Sequence, residues 1–329
     1  MLTLEPGAFR RALLRWYSSH KRDLPWRRTQ DPYRILISEV MLQQTRVAAV
    51  IPYFERFLAK FPNVETLACA DERELLAAWA GLGYYARARN LQKAALRIAE
   101  IGAFPRDHAT IRALPGVGDY TSAAVASIAF ALPHAAVDGN VKRVMSRLAA
   151  DSGDVRQLAD RLLDPERPGD HNQAVMELGA TICLPREPLC LLCPVAEFCL
   201  AATTGKQHEF PVRKLKSPAN RVSQQLLVLK RRGSILFWQR PAESPRLAGF
   251  WELPEREHIA DAKVGERLGA FRHTIVNTLH DVTVFAATFA ATAQEVGAGF
   301  SWLPIRSLNE FPLSTTARKA LMKSVKLKP

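Results

Sequence analysis

Several things are scarce in this chain of 329 residues, and each scarcity excludes something. It has no uninterrupted apolar run of about 18 residues, so a membrane-spanning helix is not expected. Glu5, Arg10 and Arg11 fall before any long apolar stretch, so no secretory leader is expected either, and the chain reads as cytoplasmic. Five cysteines are too few for a disulfide framework at this length, and the number is odd. No internal repeat and no low-complexity tract appears. Acidic residues are outnumbered: 32 Asp plus Glu against 45 Lys plus Arg give a formal charge of +13. A pI near 9.8 points to a polyanion such as nucleic acid, or to an acidic membrane surface, and says nothing about fold. What is present is an ordinary globular composition, 48% apolar and 23% charged. At about 150 residues per domain, the length fits two domains.

The first 200 positions read as helical. Asp31-Pro32 is an N-cap followed by proline at the first helical position, and Ile35, Leu36, Glu39, Val40 and Gln43 recur at helical spacing. Asp71 and Glu74 form a capping box before Leu75, Leu76 and Trp79, and Gly81-Leu82-Gly83 ends that helix. Helices are predicted over Arg87–Ala99, Ala123–Ala131 and Val141–Leu148. Between Thr203 and Asn220 the texture changes: Gly205, Pro211 and Pro218 stand among Lys206, Arg213, Lys214 and Lys216, the pattern of a basic linker. Beyond it the chain turns β-rich, with strands predicted at Gln225–Leu229, Ile235–Trp238 and Asp281–Phe285 and a closing helix at Arg318–Val325. The expected domains are therefore 1–202, a linker over 203–220, and 221–329.

Four of the cysteines share one window, Cys183-x6-Cys190-x2-Cys193-x5-Cys199. Four thiolates so close in sequence can surround one soft metal centre. Zinc prefers two close pairs separated by a longer finger, and only one close pair exists here. The compact spacing suits a 4Fe–4S cluster better. Cys69 stands apart and is expected in the core. Leu114-Pro115-Gly116-Val117-Gly118 lies between two helix candidates. Gly116 and Gly118 permit a tight turn, and backbone N–H groups opening the next helix can hold a phosphate. Glu39, on an apolar helical stripe, is partly desolvated, which favours its protonated form and suits a general acid. Asp138, before Gly139-Asn140, can stabilise charge while Glu39 supplies a proton.

These residues join others in a specific resemblance. Leu24-Pro25-Trp26-Arg27, Ser38-Glu39-Val40-Met41-Leu42-Gln43-Gln44-Thr45, and Gly81-Leu82-Gly83-Tyr84-Tyr85-Ala86-Arg87-Ala88-Arg89-Asn90 occur in order with the glycine turn, Val137-Asp138-Gly139-Asn140-Val141-Lys142-Arg143 and the four cysteines. The chain resembles the MutY-type adenine DNA glycosylases of the helix-hairpin-helix superfamily that includes endonuclease III. The resemblance implies a mainly α helix-hairpin-helix glycosylase domain with an iron–sulfur loop, followed by a smaller α/β Nudix-like domain. It places the catalytic aspartate on Asp138, the acid that protonates N7 of a flipped adenine on Glu39, and assisting groups on Tyr120 and Asn140. Gln44 and Tyr84 fall where the family wedges side chains into the duplex. Arg27, Arg87, Lys142 and the turn at Gly116 and Gly118 are candidate phosphate contacts. Cys183, Cys190, Cys193 and Cys199 would hold a 4Fe–4S cluster.

Bifunctional relatives carry a lysine nucleophile two residues past the last glycine of the turn. Tyr120 stands there and cannot form a Schiff base, so a monofunctional enzyme is expected, with Lys142 a source of slow adventitious strand cleavage. An endonuclease III-like pyrimidine glycosylase-lyase is disfavoured by Tyr120, Glu39 and the added domain. A non-catalytic DNA-binding or redox-sensing iron–sulfur protein is disfavoured by Glu39 and Asp138. Gly249-Phe250-Trp251-Glu252-Leu253-Pro254 resembles the start of the family's Nudix-like domain, which recognises 8-oxoguanine. Glu255, Glu257 and Glu266 do not reproduce the acidic helix of a pyrophosphatase. After Phe271-Arg272-His273-Thr274 the family has Phe-Ser-His; this chain has Ile275-Val276-Asn277, so Asn277 is expected to read the oxidised base in weakened or altered form. The expected partner is duplex DNA with adenine opposite 8-oxoguanine or guanine, bound by a monomer.

Overall fold

The computed structural model describes residues 5–212, 220–241, 243–244, 247–259, 261–275, 277–288 and 297–324. Arg213, Lys214, Lys216 and Pro218 of the expected linker, together with Val276 and Val325, lie outside the described residues. The chain divides into two compact units, Met1–Ala70 with Arg89–Leu215, and Asp71–Ala88 with Lys216–Pro329. No helix among the described residues is long and apolar enough to cross a membrane.

The first unit is helical. α1 (Pro6–His20) opens on Glu5, whose carboxylate accepts from the Gly7 and Ala8 amides, and it buries Phe9, Leu13, Leu14 and Tyr17. A 3-10 turn at Pro25–Arg27 buries Trp26. α2 (Pro32–Leu42) starts as expected: Asp31 accepts from the Tyr33 amide, and Pro32 takes the first position. Every residue of α2 from Ile35 to Met41 is buried. That is why an acid at Glu39 loses its water. α3 (Val47–Lys60) and α4 (Val64–Ala68) follow, the latter closed by a reciprocal Asn63–Thr66 box. Cys69 caps the end of α4 and is exposed rather than in the core, because the helix stops there and turns its last residue outward.

α5 (Glu72–Trp79) belongs to the second unit. α6 (Ala86–Ile101) begins there and continues into the first. Next come α7 (His108–Arg112), α8 (Asp119–Phe130), α9 (Gly139–Ala149), α10 (Val155–Leu162), α11 (Pro168–Thr181) and α12 (Leu200–Thr203). One core joins α1, α9, α10 and α11 through Phe9, Leu13, Val144, Leu148, Leu162, Val175 and Leu178. Cys183, Cys193 and Cys199 pack against its edge. α9 and α11 approach so closely that a Cβ on Gly179 would stand 2.7 Å from the Asn140 Cβ. Residues 203–212 are not free linker: the Phe210 carbonyl accepts from Arg147 Nε at 3.1 Å, and the Val212 amide donates to Ser152 at 2.9 Å. The linker expected from 203 therefore starts later.

In the second unit, six strands form one mixed sheet in the order β3-β2-β1-β5-β4, with β6 on β2. The strands are β1 (Asn220–Arg231), β2 (Ser234–Gln239), β3 (Trp251–Glu252), β4 (Lys263–Ile275), β5 (Thr278–Thr288) and β6 (Phe300–Pro304). β1 and β5 run parallel; β4 and β5 form a hairpin whose last pair is Ile275 with Thr278. α13 (Thr315–Ser324) covers one face, over Leu226, Val228, Phe237 and Val284. Leu227, Leu229 and Leu236 point to the other face. This α/β layer is the second domain the sequence leads one to expect. Residues 71–88 were expected in the first domain. They associate instead with the second unit, where the Tyr85 ring lies 4.0 Å from that of buried Phe250.

One buried acid clamps the first unit. Glu177 on α11 is fully buried and takes four hydrogen bonds: from the Arg22 amide, from Arg22 Nε and Nη2 at 2.7 and 2.8 Å, and from Arg27 Nη2 at 2.8 Å. Burial pushes its pKa up, but the bonds from Arg22 and Arg27 outweigh burial and hold it down at about 2. Its stabilising effect is present above the ordinary carboxylate value of 4.5 and is lost as pH falls toward about 2. Glu177→Gln, which strands two guanidinium groups, is expected to cost about 3 kcal/mol at neutral pH. Urea unfolding across pH 2.5 to 7 should show the variant and the native protein converging at the acid end.

Candidate active site and cysteine pocket

The buried α2 presents Glu39, 5% exposed, to Tyr120 in the first turn of α8. The Tyr120 hydroxyl donates to Glu39 Oε2 at 2.7 Å and also touches Met176 Sδ at 3.5 Å. Burial drives the Glu39 pKa up; the Tyr120 bond pulls it back, the Asp138 charge raises it again, and it comes to rest at about 7. Burial and the two neighbouring carboxyls hold the Tyr120 phenol well above its usual range, so it stays a neutral donor. Asp138 is the N-cap of α9: Oδ1 accepts from the Val141 amide at 2.7 Å and Oδ2 from Asn140 Nδ2 at 3.1 Å. The four expected catalytic residues thus form one group. It holds a carboxyl poised between its two protonation states and a second carboxyl fixed at a positive helix end.

α9 continues from this group to the cysteines. Arg143 Nη2 donates to Asn140 Oδ1 at 2.9 Å and to the Gly179 carbonyl at 2.7 Å, and its Nε reaches the Cys183 carbonyl at 2.8 Å. One turn on, Arg147 is 2% exposed. Its Nη1 donates to the Leu184 carbonyl at 2.7 Å and to Cys183 Sγ at 3.2 Å. Neither arginine has a carboxylate partner among the described ion pairs. All four cysteines, with Arg147, Ile182, Pro188, Ala196, Ala202 and Gln207, line one cavity. Burial raises the thiols of Cys190 and Cys199, and that of Cys193 to about 12. Among the described residues no three Cys, His, Asp or Glu side chains converge on a point that would hold a single ion. Sulfurs spread around a cavity fit a polynuclear group better than one zinc. Two buried guanidinium groups with no carboxylate ion pair among the described residues fit an anionic occupant, which neutral thiols are not.

The remaining expected residues have varied surroundings. Gly116 has φ +75°, and a Cβ there would meet Asn90 Cβ at 2.5 Å, so glycine is required. Gly118 is extended, with open space where its Cβ would be. Lys142 is exposed on α9. Gln44 and Tyr84 are exposed, and both hold left-handed backbone, at φ 57° and 49°. Asn277 is exposed at the tip of the β4–β5 hairpin, its carbonyl accepting from the Asn220 amide at 3.0 Å. Two arginines read as phosphate contacts are engaged inside the protein. The Arg27 side chain is 10% exposed and bound to Glu177. Arg87 Nη2 donates to the Leu82 and Gly83 carbonyls, its guanidinium lies 5.5 Å from the Trp79 and Tyr84 rings, and burial lowers its pKa to about 10.

Sequence reading missed Met176 and the Arg22–Glu177–Arg27 clamp beside Glu39, as well as Arg147. Only an acid on the apolar face of α11 hinted at the clamp.

An unfolded Glu39 ionises near 4.5 and the folded one near about 7, so the folded state holds an extra proton between these values. Stability must fall as pH rises through that window. At about 1.4 kcal/mol per unit, the loss reaches about 3 kcal/mol above pH 7. Glu39→Gln should therefore raise the urea midpoint at pH 8.5, with the difference shrinking toward pH 5.

Residues 37–165 match the HhH-GPD superfamily of base excision DNA repair proteins. The human adenine DNA glycosylase is 41% identical over 315 residues, 76% of this chain and 58% of that protein. The one from Buchnera aphidicola subsp. Acyrthosiphon pisum is 33% identical over 242 residues, 70% of this chain and 69% of that protein. Among solved structures, a thermostable thymine-DNA glycosylase superposes with a TM-score of 0.56 at 31% identity, covering 60% of this chain and 97% of its own. Endonuclease III in a non-covalent DNA complex gives 0.54 at 26% identity, covering 62% and 99%. The chain spans less than two thirds of the human, rat and mouse relatives, at 58%, 42% and 60% of their lengths. The chain belongs to the adenine DNA glycosylase family within the HhH-GPD superfamily of base excision DNA repair proteins.

Proposed function

We propose that this chain is a monofunctional adenine DNA glycosylase, which flips adenine out of duplex DNA and hydrolyses its N-glycosidic bond where it is mispaired with 8-oxoguanine or guanine. The observation that carries this reading is the Tyr120 hydroxyl bound to a buried Glu39 carboxyl beside Asp138. The protonated Glu39 gives its proton to N7 of the extruded base, making adenine a neutral leaving group. As the bond to the sugar breaks, positive charge grows on the sugar ring, and the Asp138 carboxylate, fixed by Val141 and Asn140, stabilises it. Water then completes the abasic product. Tyr120, a neutral phenol where a lyase would need an amine, orients Glu39 and forms no covalent intermediate.

The rest of the molecule supports this role. The +13 charge suits duplex DNA. Gly118, open above the first turn of α8, lets a phosphate approach the helix amides, and exposed Lys142 adds a cation. Gln44 and Tyr84 are exposed side chains suited to fill the gap left by a flipped base. Arg27 positions Glu177 rather than a phosphate. Asn277, at an exposed hairpin tip of the second, Nudix-like unit, would meet the base opposite adenine. Cys183, Cys190, Cys193 and Cys199 would hold a 4Fe–4S cluster, which when bound supplies a covalent staple and negative charge beside Arg143 and Arg147. The protein would act as a monomer, on DNA in the cytoplasm.

Single-turnover adenine release should be measured on duplexes that differ only in the base opposite adenine. Release is expected opposite 8-oxoguanine and guanine and not opposite thymine. The rate should fall about tenfold per pH unit above about 7, as Glu39 loses its proton. Tyr120→Phe removes the bond that stabilises the carboxylate, so its falling limb should move to higher pH. Asp138→Asn keeps a competent N-cap and should retain duplex binding while release is lost. Persistent release by that variant would overturn the assignment.

A further inference from the structure

We infer that Arg147 sets the electron affinity of the metal cluster in the cysteine pocket, by holding a buried guanidinium against one ligand sulfur, that of Cys183. The inference rests on the iron–sulfur reading of the pocket. Arg147 is 2% exposed, and its Nη1 stands 3.2 Å from Cys183 Sγ. Among the described hydrogen bonds, Cys183 is the one pocket cysteine whose sulfur accepts from a charged donor.

The guanidinium cannot swing away, because the Leu184, Pro185 and Phe210 carbonyls hold it at 2.7, 3.3 and 3.1 Å. An N–H donor and a positive charge both draw electron density from a thiolate sulfur, which favours the more reduced, more negative state of whatever cluster that sulfur ligates. Away from water the effect is little screened. Arg143 provides an internal comparison. It is also buried and lies one turn away, but it reaches the Cys183 carbonyl and not the sulfur. Arg147 therefore acts as a positioning and tuning residue, separate from the Glu39–Asp138 group.

The test is the midpoint potential of the full-length, cluster-loaded protein without DNA, read by a redox titration followed by electron paramagnetic resonance, with iron and sulfide content measured alongside. Arg147→Gln is expected to move the midpoint to more negative potential. At the native midpoint its oxidised-to-reduced ratio should rise about tenfold, which is about 59 mV for one electron. Arg147→Lys keeps the charge but loses the rigid fork, and should shift the same way by less. An iron-replete Arg147→Gln with the native midpoint would overturn the inference. If the glutamine variant takes up no iron, Arg147→Lys decides: a negative shift supports the inference and an unchanged midpoint overturns it. A native protein without iron or sulfide would overturn the cofactor reading beneath it, an outcome that the metal content distinguishes from a missing shift.

Discussion

Glu39, Arg143, Arg147 and Glu177 are almost wholly withdrawn from water in the first unit, and each meets the cost of desolvation differently. Glu177 is repaid by two arginines and stays ionised. Among the described residues Glu39 receives a phenol and a distant guanidinium, and so sits near the point of taking up a proton. Arg143 and Arg147 find carbonyls, an amide and a sulfur, but no carboxylate ion pair among the described residues. A charge left incompletely satisfied in a dry place is unstable for the fold and useful for chemistry. The two arginines fit an anionic neighbour, and Glu39 is a carboxyl able to exchange its proton near neutral pH.

α9 gives these demands a common frame. Asp138 caps it, Asn140 holds the cap, and Arg143 and Arg147 project from successive turns toward the cysteine loop. The close approach of Gly179 to Asn140 leaves little room for α9 to move independently of α11, which carries Glu177 and Met176. Asp138 at the head of α9 and three of the pocket cysteines are therefore held by elements that share one core.

Much of this could be read in the chain before folding. Asp31-Pro32 announced α2, and its apolar stripe placed Glu39 inside. The cysteine window and the glycine turn were legible because their spacing is local. What escaped is what depends on distant partners. Arg27 reads as a phosphate contact until Glu177, 150 residues away, is brought to it. Arg87 reads as a surface cation until the turn at Gly83 folds over it. β4 went unseen because it alternates little and is largely exposed, carrying Glu266, Arg267, Arg272 and His273; its pairing with β5 supplies what its own pattern lacks. The placement of residues 71–88 with the second unit rests on packing such as that of Tyr85 on Phe250, which no local motif encodes.

The left-handed backbone at Gln44 and Tyr84 bears on laboratory evolution. Each non-glycine residue in that region carries a standing strain of about 1 kcal/mol, which glycine would relieve. A selection for heat resistance alone would thus favour glycine at Gln44, and at Tyr84 to the extent that the relief outweighs its contact with Arg87. Thermostable descendants of this protein should therefore be checked at positions 44 and 84, because stability alone can favour losing an exposed side chain there.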